Sequence, residues 1–212
     1  MLPIYLKVVD VPILVVGGGQ VATHKIEWLL AQGAIVHVVA LWHHPDLIAL
    51  AQGNPKLTLT ERAYEAKDCK GVRLVIAATN DEATNTQVAA DATAAGLWVN
   101  VVDVPALCTF YVPASGTVGP VQVAVGTGGI SPSLAAELRD HLVSQIPDDI
   151  GEFAAVLKTL RALCLERFPD FACRAKAMRR AARGFLDNNR PKESRQLFEW
   201  LRERAFDEGS NS

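Results

Sequence analysis

Apolar runs alternate with helix-period segments through the first half of the chain. Val11–Val16 is an apolar run, and Val21–Ala31 follows with helical spacing until Gly33 stops it. Ile35–Ala40 reads as a second strand, and Asp46–Ala51 as a short helix between Pro45 and Gly53. Leu57–Thr60 is short and β-like, whereas Leu74–Ala78 is a strong buried strand. The spacing then predicts a helix over Glu82–Ala95, ended by Gly96, and a strand over Leu97–Val102. Alternating β and α units of this length imply a parallel sheet with right-handed crossovers.

The pattern changes after Asp103. Pro105, Pro113, Gly116, Gly119 and Pro120 punctuate two apolar segments, Phe110–Val112 and Val121–Val125, which are expected to pair as antiparallel strands. A second glycine-rich loop, Gly126–Pro132, leads into a predicted helix over Ser133–Gln145 that ends before Pro147. From Gly151 onward the chain reads as helical, with turns near Pro169 and over Asn188–Pro191, and Glu208–Ser212 reads as a disordered tail.

Composition narrows the class. The 212 residues, half of them hydrophobic, make one medium domain or one domain with a smaller companion. Met1–Leu6 is followed at once by Lys7 and Asp10, unlike a secretory leader, and no apolar run approaches the roughly 20 residues of a membrane span. A cytoplasmic protein with no membrane partner is expected. Cys69, Cys108, Cys164 and Cys173 are scattered and form no C-x-x-C pair, so no metal site is expected. Charge is uneven: residues 1–150 carry 8 Lys and Arg against 14 Asp and Glu, and residues 151–212 carry 13 against 9. The basic excess sits in Arg161, Arg167, Arg174, Lys176, Arg179, Arg180 and Arg183. Such helices suit an anionic small molecule, a nucleic acid, or a plainly solvated face. No recognised nucleic-acid motif accompanies them, and no nucleic-acid partner is expected.

Gly17-Gly18-Gly19-Gln20-Val21-Ala22 lies between the first strand and the first helix. Read as G-x-G-x-x-A, it gives a tight turn at Gly17, close phosphate approach at Gly19 and close helix–strand packing at Ala22, with free helix N–H groups facing an anion. The context, strand then glycine turn then helix, points to dinucleotide binding rather than a bare turn. Gln20 and Val21 should lie beside the pyrophosphate. Leu41 and Trp42 follow the second strand, where an adenosine ribose sits in such folds; Trp42 could flank adenine or pack on its neighbours. The place that usually holds an acidic ribose ligand is Ala40-Leu41-Trp42-His43, and no arginine stands there for a 2′-phosphate. Thr79 and Asn80, after the strand Leu74–Ala78, could contact the nicotinamide half or simply form a turn. Asp103 follows the last strand at its carboxyl end, where a carboxylate would face the cleft or form an Asx turn. His43 and His44 read as solvated turn residues, and His24 and His141 as helix-surface residues.

Taken together, these segments resemble the precorrin-2 dehydrogenase/sirohydrochlorin ferrochelatase family of sirohaem synthesis. The resemblance rests on Leu2-Pro3-Ile4-Tyr5-Leu6, Val15–Ala22 with Lys25, Ala77-Ala78-Thr79, Asn100-Val101-Val102-Asp103, Phe110–Ala114 and Thr127–Pro132 with Ala135 and Arg139. It covers about residues 1–145, in the family's order and spacing. It implies a Rossmann-like NAD-binding domain over 1–112, a small β plus helix dimerisation segment over 113–146 and a helical C-terminal domain over 147–212. It also implies a homodimer, a tetrapyrrole substrate, NAD as the hydride acceptor and dehydrogenation of precorrin-2 to sirohydrochlorin. Some family members also insert ferrous or cobaltous ion. The resemblance makes Asp103 the catalytic carboxylate. It assigns Thr127, Gly128, Gly129, Ser131 and Arg139 to the substrate, where hydroxyls and backbone N–H groups can hold carboxylates. Structural roles compete: Ser131 suits a helix cap, and Arg139 an acidic neighbour. Ile130 departs from the family, which commonly has a basic residue there. A chelatase without dehydrogenase activity and a non-catalytic dinucleotide-binding module are the rival readings.

Overall fold

The computed structural model describes residues 1–187 and 189–206. The tail expected over Glu208–Ser212, and Asn188 of the expected turn, lie outside the described residues. The chain divides into two compact units, Met1–Val112 and the part from Pro113 onward.

The first unit is a parallel Rossmann-like sheet. Its elements are β1 (Pro12–Val16), α1 (Gln20–Ala31), β2 (Ile35–Ala40), α2 (Pro45–Ala51), β3 (Leu57–Glu61), β4 (Leu74–Ala77), α3 (Glu82–Ala94) and β5 (Trp98–Val101). The strand order is β3-β2-β1-β4-β5, and every neighbouring pair is parallel. β1 is apolar throughout because both of its faces are covered. Ile13 and Val15 join a core with Ala22, Ile26 and Leu29 of α1 and Leu47 of α2. Leu14 and Val16 point the other way, into a core with Val88, Ala89 and Ala92 of α3. Ala22, Ile26 and Leu29 recur at helical spacing, and full burial of Ile26 and Leu29 contributes about 1.5–3 kcal/mol each. Element ends differ from the expected ones by a residue or two, the usual fraying.

The second unit holds β6 (Ala114–Val118), β7 (Val121–Val125), α4 (Pro132–Ser144), α5 (Ile150–Arg167), α6 (Phe171–Arg183) and α7 (Ser194–Phe206). Here one expectation fails. Phe110–Val112 is not a strand; β7 pairs with Ala114–Val118, and Val118 faces Val121 across Gly119-Pro120. Pro113 has no N–H to give a ladder, and the Phe110 carbonyl already accepts from Asn100 Nδ2 at 3.1 Å. Gly119 has φ of 53°, the sign that the first loop residue of a type II′ hairpin needs.

α4 packs on the hairpin, while Ile130, Leu134, Leu138 and Leu142 stay exposed, the last three spaced four apart along one face of α4. Helices α5, α6 and α7 enclose their own core around Phe153, Leu160, Ala177, Ala181, Leu197 and Leu201. Several of the basic residues serve this bundle. Arg167 lies 4.9 Å over the Phe206 ring, Arg174 donates to the Phe168 and Pro169 carbonyls, and Arg180 donates to the Ala205 carbonyl. Lys176, Arg179 and Arg183 are exposed on α6.

Candidate active site

Because all five strands run one way, the loops leaving β1, β2, β4 and β5 emerge at a single edge of the sheet. Strand order reverses between β1 and β4, and open α/β sheets bind ligands at such a reversal, beyond the carboxyl ends. Gly17–Ala22, Leu41 and Trp42, Thr79 and Asn80, and Asp103 all sit in these loops or at the helix start that follows.

The three glycines have different surroundings. Gly17 has φ of 119° and donates its N–H to the Val39 carbonyl at 2.9 Å. A Cβ there would collide with the Ala78 carbonyl, and one on Gly18 would collide with the Trp42 carbonyl. Gly18 also accepts the His44 N–H at 2.8 Å, which ties the β2 loop to the turn. Gly19 differs: a Cβ there meets nothing within 4 Å. It is the N-cap of α1, with no side-chain cap and no acidic residue in the first turn. The helix start is therefore open and positively polarised toward an anion. Ala22 is fully buried against the sheet, whereas Gln20 and Val21 are exposed. Leu41 and Trp42 are exposed at 72% and 57%, apolar surfaces beside the same turn.

Thr79 is held from below. Its hydroxyl donates to Asn85 Oδ1 at 2.8 Å, and Asn85 Nδ2 donates to the Thr79 carbonyl at 2.9 Å. Asn85 is a buried polar residue on α3 that the sequence reading did not single out. Asn80 is exposed next to Asp81, which caps α3 by accepting the Thr84 N–H and hydroxyl. Those two hydrogen bonds hold the Asp81 carboxyl below the ordinary range.

Asp103 is exposed and has φ of 59°, a left-handed backbone that few residues other than glycine adopt. Such positions cost on the order of 1 kcal/mol and cluster where function holds them. Lys56, far along the chain, pairs with Asp10, the other non-glycine residue of positive φ among the described residues. After Asp103 the chain returns along β5. Thr109 N–H donates to the Val99 carbonyl and its hydroxyl accepts the Val99 N–H, both at 2.8 Å. The Cys108 thiol lies within reach of Val101 and Val104.

In the second unit, the glycine loop is internally wired. Thr127 Oγ1 accepts the Ser131 N–H at 3.2 Å and donates to the Ser131 carbonyl at 3.0 Å. Ser131 Oγ caps α4 by accepting the Leu134 N–H at 3.2 Å. Gly128 and Gly129 both have positive φ, and Ile130 is 87% exposed. Arg139 grips Asp140 with two bonds, of 2.7 and 3.0 Å, and reaches the Ser115 carbonyl at 3.4 Å. Arg139 therefore has an acidic neighbour within its own helix. That contact raises the arginine and lowers the Asp140 carboxyl.

His24 and His141 are exposed on α1 and α4 as expected, whereas His43 and His44 are not simply solvated turn residues. His44 is not a free turn residue: its Nδ1 accepts the Asp46 N–H and caps α2. His43 is not solvated at Nε2, which is buried and bonds to no described residue. Arg62 was also overlooked. Its N–H donates to the Ala40 carbonyl at the end of β2, at 2.9 Å. Its guanidinium is engaged bidentately with Asp68, at 2.6 and 2.8 Å, which lowers the Asp68 carboxyl.

The sequence pattern described as "Putative NAD(P)-binding" matches residues 4–114, just over half of the chain. The chain belongs to the putative NAD(P)-binding family. A second pattern, "Sirohaem biosynthesis protein central", matches residues 118–145. The siroheme synthase of Methylococcus capsulatus is 44% identical over 169 residues, covering 80% of this chain and 35% of the relative. That of Pseudomonas putida strain W619 is also 44% identical over 169 residues, covering 80% of this chain and 36% of the relative. The chain thus spans about a third of the length of these curated relatives. Among solved structures, SirC, precorrin-2 dehydrogenase, superposes with a TM-score of 0.71 at 21% identity, covering 96% of this chain and 100% of that one. At that identity the likeness establishes the shared fold.

Proposed function

We propose that this chain dehydrogenates precorrin-2 to sirohydrochlorin, with NAD as the acceptor. The observation that carries the reading is the shared edge of the parallel sheet. An uncapped, acid-free helix start and a carboxylate in strained backbone stand there together. The names of the matched relatives, siroheme synthase and precorrin-2 dehydrogenase, support the substrate class.

The residues fit a dinucleotide. Gly17 and Gly18 allow the turn to pack against the β4 and β2 loops, and Gly19 leaves open space where a diphosphate would approach the first-turn N–H groups. Leu41 and Trp42 offer apolar surface for the adenosine half, and Thr79 and Asn80 polar groups for the nicotinamide half. Arg62, beside the end of β2, is held by Asp68, which favours NAD over its 2′-phosphorylated form. NAD, when bound, supplies the hydride acceptor. Asp103 takes the proton: the substrate loses one hydride and one proton, and the carboxylate becomes a carboxylic acid that water then deprotonates. The same carboxylate could receive pyrrole N–H protons if ferrous or cobaltous ion enters the product.

In the second unit, the Gly128 and Gly129 backbone N–H groups are the better carboxylate ligands, because the Thr127 and Ser131 hydroxyls already serve the loop. A carboxylate reaching Arg139 must displace Asp140. The exposed row Ile130, Leu134, Leu138 and Leu142 supports residues 113–146 as the dimerisation segment of a homodimer, with 147–212 as a separate helical domain. No helix among the described residues is long and apolar enough to cross a membrane, in keeping with a cytoplasmic site for the reaction.

Anaerobic incubation of the chain with precorrin-2 and NAD tests the reading. One NADH should form for each sirohydrochlorin, and metal added afterwards reports insertion. Sirohydrochlorin consumed with metal but never formed from precorrin-2 would favour the chelatase instead.

A further inference from the structure

We propose that Cys108 is a positioning residue for Asp103, its thiol clamping both ends of the turn that carries the carboxylate. The inference rests on the reading of Asp103 as the proton acceptor.

β5 is the edge strand of its sheet. Its inner side faces β4: the Val102 N–H, just beyond it, donates to the Ala77 carbonyl at 2.9 Å. The Val99 and Val101 N–H groups point the other way, off the edge. Side chains of the returning segment take them, Thr109 Oγ1 at 2.8 Å and Cys108 Sγ at 3.2 Å. Between strand and return lies a four-residue turn, closed by the Val104 N–H on the Val101 carbonyl at 3.3 Å. Asp103 is its third residue, with φ of 59°. A type II turn requires positive φ at that place and favours glycine or asparagine there. Aspartate also tolerates it, at a modest cost that outside support offsets.

The thiol supplies that support at both ends. Cys108 Sγ lies 3.2 Å from the Val101 carbonyl and 3.4 Å from the Val104 carbonyl, the first and last residues of the turn. One S–H is shared between these two acceptors. The sulfur lone pairs accept the Val101 N–H and, at 3.5 Å, Asn100 Nδ2. Asn100 also bonds the Phe110 carbonyl at 3.1 Å, locking the return segment in register. The sulfur reaches four groups over 3.2–3.5 Å, three at the end of β5 and one at the far end of the turn, and so ties those two ends together. The alternative is a thiol that merely fills space, since Cys108 also packs partly against the core on the α3 face.

Hydrogen bonding and volume are separated by two variants of the full chain, Cys108→Ser and Cys108→Val. Serine keeps a donor and an acceptor in a smaller side chain; valine keeps bulk and loses both. Cys108→Val should lower kcat for precorrin-2 dehydrogenation at least about tenfold, with NAD affinity within roughly twofold of the parent, and Cys108→Ser should retain most of the rate. In an Asp103→Asn background, Cys108→Val should change the residual rate less than about twofold, because the group it positions is gone. A second readout needs no turnover. Asp103→Gly should raise the melting temperature by about 2 °C by relieving the left-handed residue, and that gain should vanish alongside Cys108→Val. Parental kcat in Cys108→Val, a serine variant worse than the valine one, or an equal loss in both backgrounds would overturn the proposal. If Asp103→Asn itself kept the parental rate, the proton-acceptor reading would fail, and the melting coupling alone would then decide whether the clamp exists.

Discussion

Gly17, Gly18 and Gly19 are the same residue in three different surroundings: the Ala78 carbonyl, the Trp42 carbonyl and open space. Gly18 lies against the Trp42 carbonyl, so Gly18→Ala must push backbone apart, at a cost of about 2 kcal/mol or more in a urea melt. Gly19 faces open space with φ of −81°, a backbone any residue adopts. Aspartate there would be a good N-cap and would suit the helix dipole. Gly19→Asp should therefore hold or raise the melting temperature while weakening NAD binding at least about tenfold, because its charge meets the diphosphate. Calorimetric titration with NAD, beside a thermal melt, checks both signs; tight binding by Gly19→Asp would place the diphosphate elsewhere. The turn itself was legible in the sequence because glycine codes for backbone freedom. Which glycine serves the protein and which the ligand was not, because that depends on the β2 and β4 loops, far away in sequence. The partners of Cys108 and Asn85 were invisible for a similar reason: nothing in the local pattern announces them.

Strands and helices with strong periodicity, β1, β2, β4, α1 and α3, could be read directly from the chain. The β6–β7 hairpin could not. Ala114–Val118 contains Ser115, Gly116 and Thr117 and carries little apolar signal, while Phe110-Tyr111-Val112 looks more β-like and lies just before Pro113. Backbone accounting, not hydrophobicity, decided between them. The exposed leucines of α4 give that element its own test. Leu138→Asp puts a charge in the apolar row and should shift the chain from dimer to monomer in sedimentation, leaving NAD affinity unchanged. A parent that sediments as a monomer would remove this role for α4. The crossover from β3 to β4 has an electrostatic test. The Arg62 contact lowers the Asp68 carboxyl in the folded chain, so its stabilisation is full above the unfolded carboxylate range and is lost as pH falls through the folded value. Asp68→Asn should cost roughly 1 kcal/mol at pH 7 and less at acid pH, below the folded carboxyl's own value, in paired urea melts. An equal difference at both pH values would assign its role to packing.

The whole chain is two units with separate cores. Both clusters of the first unit lie within residues 1–112, and the bundle cluster lies entirely beyond Pro113. A fragment ending at Val112 should therefore melt cooperatively and bind NAD within about threefold of the full chain; an unfolded fragment would show that the first unit leans on the second. The full chain joins these parts in one polypeptide about a third as long as its siroheme synthase relatives. In the proposed reaction Asp103 accepts the proton while NAD accepts the hydride. Asparagine suits the left-handed backbone at position 103 and keeps the side-chain shape, so Asp103→Asn isolates the charge. The decisive measurement is the anaerobic rate of NADH formation from precorrin-2 by the parent and by Asp103→Asn, with NAD affinity measured on both. A loss of at least about a hundredfold in rate at unchanged affinity is the result expected; an asparagine variant as fast as its parent, or a parent that forms no NADH, would contradict it.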